Sequence, residues 1–193
     1  MKKNTSKKLA KRLAQYGALS AAVLGVADAT GQVTYTDVNP DIILDLGDTF
    51  DIDFTGAAGQ ANVQISNPDG LAGGTAALAF PSSGGALVGF TAGGYEYPLV
   101  LVDGDVIDDA SGYTTPGVRG DLNYYGCAYS NSQWCDFVED GILGVSFQFD
   151  GNTHYGWVRM DTDVGADDVI TVKGYAFEAT PDTAIVAGDE GTL

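Results

Sequence analysis

The sequence predicts an all-β protein, an antiparallel β-sandwich or jelly-roll-like fold behind a cleavable leader. Three observations predict it. Apolar residues recur at every second position over Leu143, Val145, Phe147 and Phe149, the period of a half-buried strand. Glycine supplies 27 of the 193 residues, about twice ordinary usage. With Asp, Asn and Pro it divides the chain into the short runs that sandwiches and barrels are made from. Beyond the first 30 positions, no stretch carries a long amphipathic helical pattern.

The leader comes first. Six of the nine basic residues fall within the first twelve positions, ahead of the apolar run Tyr16–Val26 and the small-x-small triplet Ala27-Asp28-Ala29. That order describes a secretory signal peptide over residues 1–29, with a single all-β domain over 30–193. The apolar run is too short to span a bilayer. The protein is therefore expected to be secreted or extracellular, with the periplasm as the other destination. An N-terminal amphipathic anchor is the competing reading of the segment.

The chain after Ala29 holds three bases, Arg119, Arg159 and Lys173, against 25 acids. Such a surface repels phosphate backbones and anionic lipid, so neither nucleic acid nor membrane insertion is an expected partner. It stays soluble and attracts cations.

Val33 and Tyr35 alternate with threonines as a first strand. Next, Phe50-Asp-Ile-Asp-Phe54 reads in two ways. Asp51, Asp53, Thr55, Gly56 and Asn62 fall at positions 1, 3, 5, 6 and 12 of a calcium loop, where alternate oxygens and a glycine suit a hard cation. Asn62 offers one neutral oxygen where a bidentate acid is wanted, so Ca²⁺ held there would be weak and structural. Alternatively, Phe50, Ile52 and Phe54 point inward on an ordinary strand and the aspartates are solvated.

Asn62–Ser66 gives another strand, closed by a Pro68-Asp69-Gly70 turn. The Gly/Ala/Ser-rich run from Leu71 to Gly94 holds two short strands, Ala76–Phe80 and Leu87–Phe90. Leu99–Val102 reads as a buried strand entering four aspartates, Asp103, Asp105, Asp108 and Asp109. These are a second candidate Ca²⁺ cluster or simply a solvated turn.

Cys127 and Cys135 are the only cysteines, and in an exported chain they are expected to form a disulfide closing a small loop. With one histidine they cannot complete a four-ligand structural zinc site from Cys and His alone. Tyr124, Tyr125, Tyr129, Trp134 and Phe137 crowd this loop, which is either a recognition surface or a cover over the sandwich edge.

Asp150-Gly151-Asn152 supplies residues tolerant of positive φ, so the strand through Phe149 turns back as a hairpin. An even-numbered turn puts His154, Gly156, Val158 and Met160 on the core face with Leu143, Val145 and Phe147. Tyr155, Trp157 and Arg159 then share the opposite face, either as a ligand platform for flat sugar rings or buried beneath a second layer. A third strand follows at Val169–Glu178.

Two strings carry a resemblance. Val33-Thr-Tyr-Thr-Asp-Val-Asn-Pro-Asp41 after the leader, and Gly144–Arg159 with its His154-Tyr-Gly-Trp-Val158 hairpin, followed by Gly174-Tyr-Ala-Phe-Glu178 and Ile185-Val-Ala-Gly188, resemble a group of uncharacterised exported bacterial β-sandwich proteins. The second string covers about 50 residues. The resemblance implies export and a β-sandwich, and it brings no catalytic residue. Several of that group continue into a C-terminal sorting or anchoring segment, whereas the present sequence ends at Leu193, so surface attachment does not follow.

Three functions compete. An exported, non-catalytic binding or adhesion module for a glycan or a cell-surface protein would use Tyr155, Trp157, Arg159, Tyr129 and Trp134. A purely structural exported protein with weak calcium binding would use the aspartates. A glycoside hydrolase needs only two positioned carboxylates. A Ser-His-Asp relay is disfavoured, because the single histidine, His154, falls on the core face.

Overall fold

The computed structural model describes residues 32–57, 61–69, 76–124, 127–135, 137–163 and 168–191, and the leader expected over 1–29 lies outside them, as does Tyr125. Among the described residues there is no helix. The strands are β1 (Val33–Leu44), β2 (Thr49–Ile52), β3 (Val63–Ser66), β4 (Ala76–Pro81), β5 (Ala86–Leu87), β6 (Gly89–Ala92), β7 (Tyr95–Pro98), β8 (Val106–Ile107), β9 (Gly120–Tyr124), β10 (Phe137–Phe149), β11 (Asn152–Asp163), β12 (Val169–Glu178) and β13 (Ile185–Val186).

They form a five-stranded sheet ordered β1-β12-β11-β10-β5 and a four-stranded sheet ordered β2-β3-β4-β9, with two-stranded ribbons β13-β8 and β6-β7. Every pairing between these strands is antiparallel. The fold is the β-sandwich expected.

The long hairpin β10–β11 carries the most regular pairing. Phe149 faces Asn152 across a two-residue turn, Asp150-Gly151, with φ of 49° and 78°. Positive φ at both central residues gives the turn whose twist matches that of the flanking strands. Register then follows by counting back from the turn: Phe147 faces His154, Val145 faces Gly156 and Leu143 faces Val158. Leu143, Val145, Phe147 and Val158 enter the main core, where they meet Ile52 of β2, Val63 and Ile65 of β3, Ala79 of β4 and Leu122 of β9 from the opposing sheet. The His154 ring stacks on Phe147 and its Nδ1 lies 2.9 Å from the Glu178 carbonyl oxygen.

The other face of the five-stranded sheet is covered as well. Tyr155 and Trp157 of β11, Ile142 of β10 and Ala176 of β12 pack against Val88, Leu101, Ile107 of β8 and Ile185 of β13 in a second apolar cluster. Residues 99–102 take part in this cover, but not as the strand expected there. Leu101 makes a single bridge to Ile142, and the chain turns at Gly104 with φ 99°. The reason is local: Pro98 carries no N–H for a ladder, and the Asp103-Gly104 turn stops the run within a few residues.

Trp157 is fully covered, so truncating it removes core packing. Trp157→Ala is expected to lower stability by about 3–5 kcal/mol, measured by urea unfolding. A loss below about 1 kcal/mol would mean that the ring is not part of a packed layer.

Candidate functional site

The structure disposes of most sequence-derived candidates before it offers one. Tyr155 is 4% exposed and Trp157 0%, which corrects their assignment to a ligand platform. The parity argument placed them on the right face, but β8, β13 and the 99–102 segment lie over that face. Arg159 sits at the margin of this layer, 5.6 Å over the Trp157 ring, and pairs with Asp103 at 2.7 Å. Trp134 is also buried, with its ring in the main core. Of the five proposed platform residues, Tyr129 is half-buried and stands against an exposed ring, that of Tyr95.

The calcium candidates are dispersed in the same way. Asp53 Oδ1 accepts hydrogen bonds from the Thr55 N–H, the Thr55 hydroxyl and the Gly56 N–H, a closed local turn. Asp51 points across the strand pair to Gln64 Nε2 at 2.7 Å. The Asn62 side-chain oxygen is buried and accepts the Phe54 N–H. Asp51 therefore follows the ordinary strand reading, whereas β2 ends at Ile52 and Asp53 and Thr55 form the turn after it; Phe50 is partly buried and Ile52 and Phe54 are in the core, as that reading expects. In the second cluster, Asp103 is held by Arg159, Asp105 caps the Val102 N–H, and Asp108 accepts the Ala110 N–H and the Ser111 hydroxyl. Asp109 is exposed in the adjoining turn. Among the described residues, no three acidic, histidine or cysteine side chains converge where a metal ion would sit.

The surface that does gather chemistry lies where the β6–β7 ribbon meets β9. It is built from a hairpin that the residues specify locally. Gly93 and Gly94, with φ of 60° and 87°, turn β6 into β7, and Thr91 pairs directly with Glu96. Glycine is required again at Gly120, where an added Cβ would lie 2.5 Å from both Leu87 Cδ1 and Pro98 Cγ. That close approach draws β9 against β7. The result is a cleft of about 350 Å³ lined by Phe80, Gly94, Tyr95, Glu96, Val118, Arg119 and Asp121.

Aromatic rings extend its rim. Tyr129 lies against Tyr95 with centroids 4.7 Å apart, and against Tyr124 at 5.8 Å. Tyr95 and Phe80 are exposed, so ring surface is available to a ligand. Tyr129 is delivered by the loop that the Cys127–Cys135 disulfide closes, with Cα atoms 5.5 Å apart. β9 anchors this loop: Asn123 donates to the Trp134 carbonyl and accepts the Cys127 N–H, and the Ser132 hydroxyl donates to the Leu122 carbonyl. The expected disulfide is present, and it holds an aromatic side chain at the cleft.

Two carboxylates form the polar floor. Glu96 is 5% exposed, and its Oε2 accepts the Thr91 hydroxyl at 2.6 Å and the Thr115 N–H at 2.9 Å. Burial raises its pKa, but the hydrogen bonds from Thr91 and Thr115 outweigh burial and hold it below the ordinary value of 4.5. Asp121 is 3% exposed, and desolvation pushes its pKa up despite the Arg119 guanidinium. The Arg119–Asp121 contact is 2.8 Å, yet Asp121 Oδ1 has no aligned hydrogen-bond donor. The pair is thus close in distance and poorly directed. Arg119 also lies 5.1 Å over the Tyr124 ring.

Sequence reading missed Glu96, Arg119 and Asp121. The signal for Glu96 was present: Gly93-Gly94 between Phe90-Thr91 and Tyr95-Glu96-Tyr97 is a hairpin pattern. Nothing local joins that hairpin to residues 119–121, which only the tertiary fold brings beside it. Comparison with protein-family models, with curated proteins and with solved structures gives no match to this chain.

The Glu96 hydrogen bonds fix the sign of a pH effect. Folding favours its charged form, so it contributes stability above its ordinary value of 4.5, and this is lost as pH falls through the lower folded-state value. Glu96→Gln is therefore expected to lose stability near about pH 7 and to converge on the parent near about pH 3, by urea unfolding. An equal loss at both pH values would contradict this.

Proposed function

We propose that this is an exported, strongly acidic β-sandwich binding module that holds a saccharide in the cleft between β7, β9 and the disulfide loop. The observation that carries the reading is the exposed Tyr95 ring, backed by half-buried Tyr129, beside the polar floor of Glu96, Asp121 and Arg119. Flat rings pack against the apolar faces of sugars, while carboxylates and guanidinium accept from and donate to their hydroxyls. A concave surface with a few convergent polar groups is the form that small-ligand sites take. The leader pattern and the disulfide are both consistent with work outside the cytoplasm. The excess of acids argues against nucleic acid or an anionic membrane as the partner.

A second reading has one observation in its favour. Two carboxylates on one cleft floor with pKa values displaced in opposite directions, Glu96 down and Asp121 up, are what an acid and a base or nucleophile require. Hydrolysis of a bound glycan would appear as shortened oligosaccharides on prolonged incubation, and simple binding leaves them intact.

The test of the binding reading is a glycan array followed by titration. The parent protein should retain at least one glycan class. Tyr95→Ala and Tyr129→Ala should each weaken it about tenfold, equivalent to about 1.4 kcal/mol. Absence of any retained glycan, or undiminished binding by both variants, would overturn the proposal.

A further inference from the structure

We infer that the cleft selects saccharides carrying a free, protonated amine over neutral and anionic ones. This inference rests on the saccharide reading and adds to it the chemical class of the ligand.

The first argument is the state of the bases. Beyond Arg12 the sequence holds only Arg119, Arg159 and Lys173. Each is engaged by a carboxylate: Arg119 by Asp121 at 2.8 Å, Arg159 by Asp103 at 2.7 Å, and Lys173 by both Asp140 at 2.7 Å and Asp161 at 2.8 Å. A uronate or sulfated sugar entering the cleft would find its one base already shared with Asp121. It would also have to approach a chain with three bases against 25 acids after Ala29. Like-charge approach of this kind slows association and weakens binding.

The second argument is the cleft itself. Its floor sets two carboxylates against one guanidinium. Glu96 is buried and ionised, its charge already stabilised by two donors. Asp121 is closed off from solvent with its Oδ1 2.8 Å from the Arg119 guanidinium, so the two carboxylates and one guanidinium leave the floor one negative charge in excess. An ammonium supplies the second cation that balances this floor, a compact charge whose donors rotate freely to find acceptors at the cleft surface. The neighbouring tyrosine rings favour the same group, because their faces attract cations. A neutral sugar would gain the ring contacts and the hydroxyl hydrogen bonds but neither charge effect.

The experiment compares three probes on the full exported protein by calorimetry at low salt: a glucosamine tetramer, its N-acetylated counterpart and a galacturonate tetramer. The glucosamine tetramer should bind at least tenfold more tightly than the N-acetylated one, and the galacturonate tetramer least tightly. In Glu96→Gln, and independently in Asp121→Asn, the ratio between the first two should fall towards one. For the parent protein, raising NaCl should shrink the same ratio, a readout that needs no variant to fold. If all three probes bind equally, or the ratio ignores both salt and the substitutions, the amine inference is overturned while the saccharide reading stands. If none of the probes binds and the array retains no glycan, the saccharide reading itself fails.

Discussion

Asp150 and Gly151 close the hairpin between β10 and β11 with two residues, and that count decides the side of the sheet on which every hairpin side chain lands. Shifting it by one would put Tyr155 and Trp157 on the same face as Phe147, Val145 and Leu143, crowding the space against β2, β3 and β4 and turning His154 and Val158 to the other side. With the turn as it is, the five-stranded sheet presents one apolar face to the smaller sheet and a second to β8, β13 and the 99–102 segment. Over the hairpin the sheet is covered on both sides, so the Tyr155 and Trp157 face is not open to a ligand. The proposed binding cleft lies instead at the margin, where the β6–β7 ribbon meets β9.

Charge imposes the second constraint. A fold with so few bases cannot neutralise its acids by pairing, and instead disperses them into local turns. Asp53, Asp105 and Asp108 each accept hydrogen bonds within a few residues of themselves. The bases sit at junctions. Lys173 of β12 ties Asp140 of β10 and Asp161 of β11 across three adjacent strands. Hydrogen bonding to Asp140 and Asp161 keeps the Lys173 ammonium charged, against the effect of its own burial, and raises its pKa. Arg159 ties β11 to the layer above it through Asp103. Glu96 and Asp121 differ from these dispersed acids in standing together, buried, on one floor.

Much of the fold was legible because its signals are local. Alternation marked β10, and the positive-φ pair at Asp150-Gly151 fixed the faces of His154, Gly156 and Trp157. Ala76–Phe80 and Val169–Glu178 appear as the strands expected. What failed was any inference that needed to know what lies on top. Whether Trp157 is a platform or a core residue depends on Ile107, Leu101 and Ile185, distant residues with no pattern linking them to the hairpin. The spacing at Asp51, Asp53, Thr55 and Asn62 left calcium loop and strand open for a related reason. A strand alternates residues as a coordinating loop does, and what separates the two is where the oxygens are spent: Asp53 on its own turn, Asp51 on Gln64 and Asn62 on the Phe54 N–H. The cleft was hidden because β7 and β9 meet through Gly120, whose role is visible only when both strands are in place.

The central claim is that ligand binding belongs to the cleft at the edge of the smaller sheet and not to the aromatic face of the long hairpin. Amide-shift mapping by NMR during titration with a glucosamine oligosaccharide tests it most directly, since it locates binding without altering the protein. The account predicts shifts concentrated at Tyr95, Glu96, Arg119, Asp121 and Tyr129, with the Trp157 indole unmoved. Shifts centred on Trp157 and Arg159, or on Asp51 and Asp53, would contradict it.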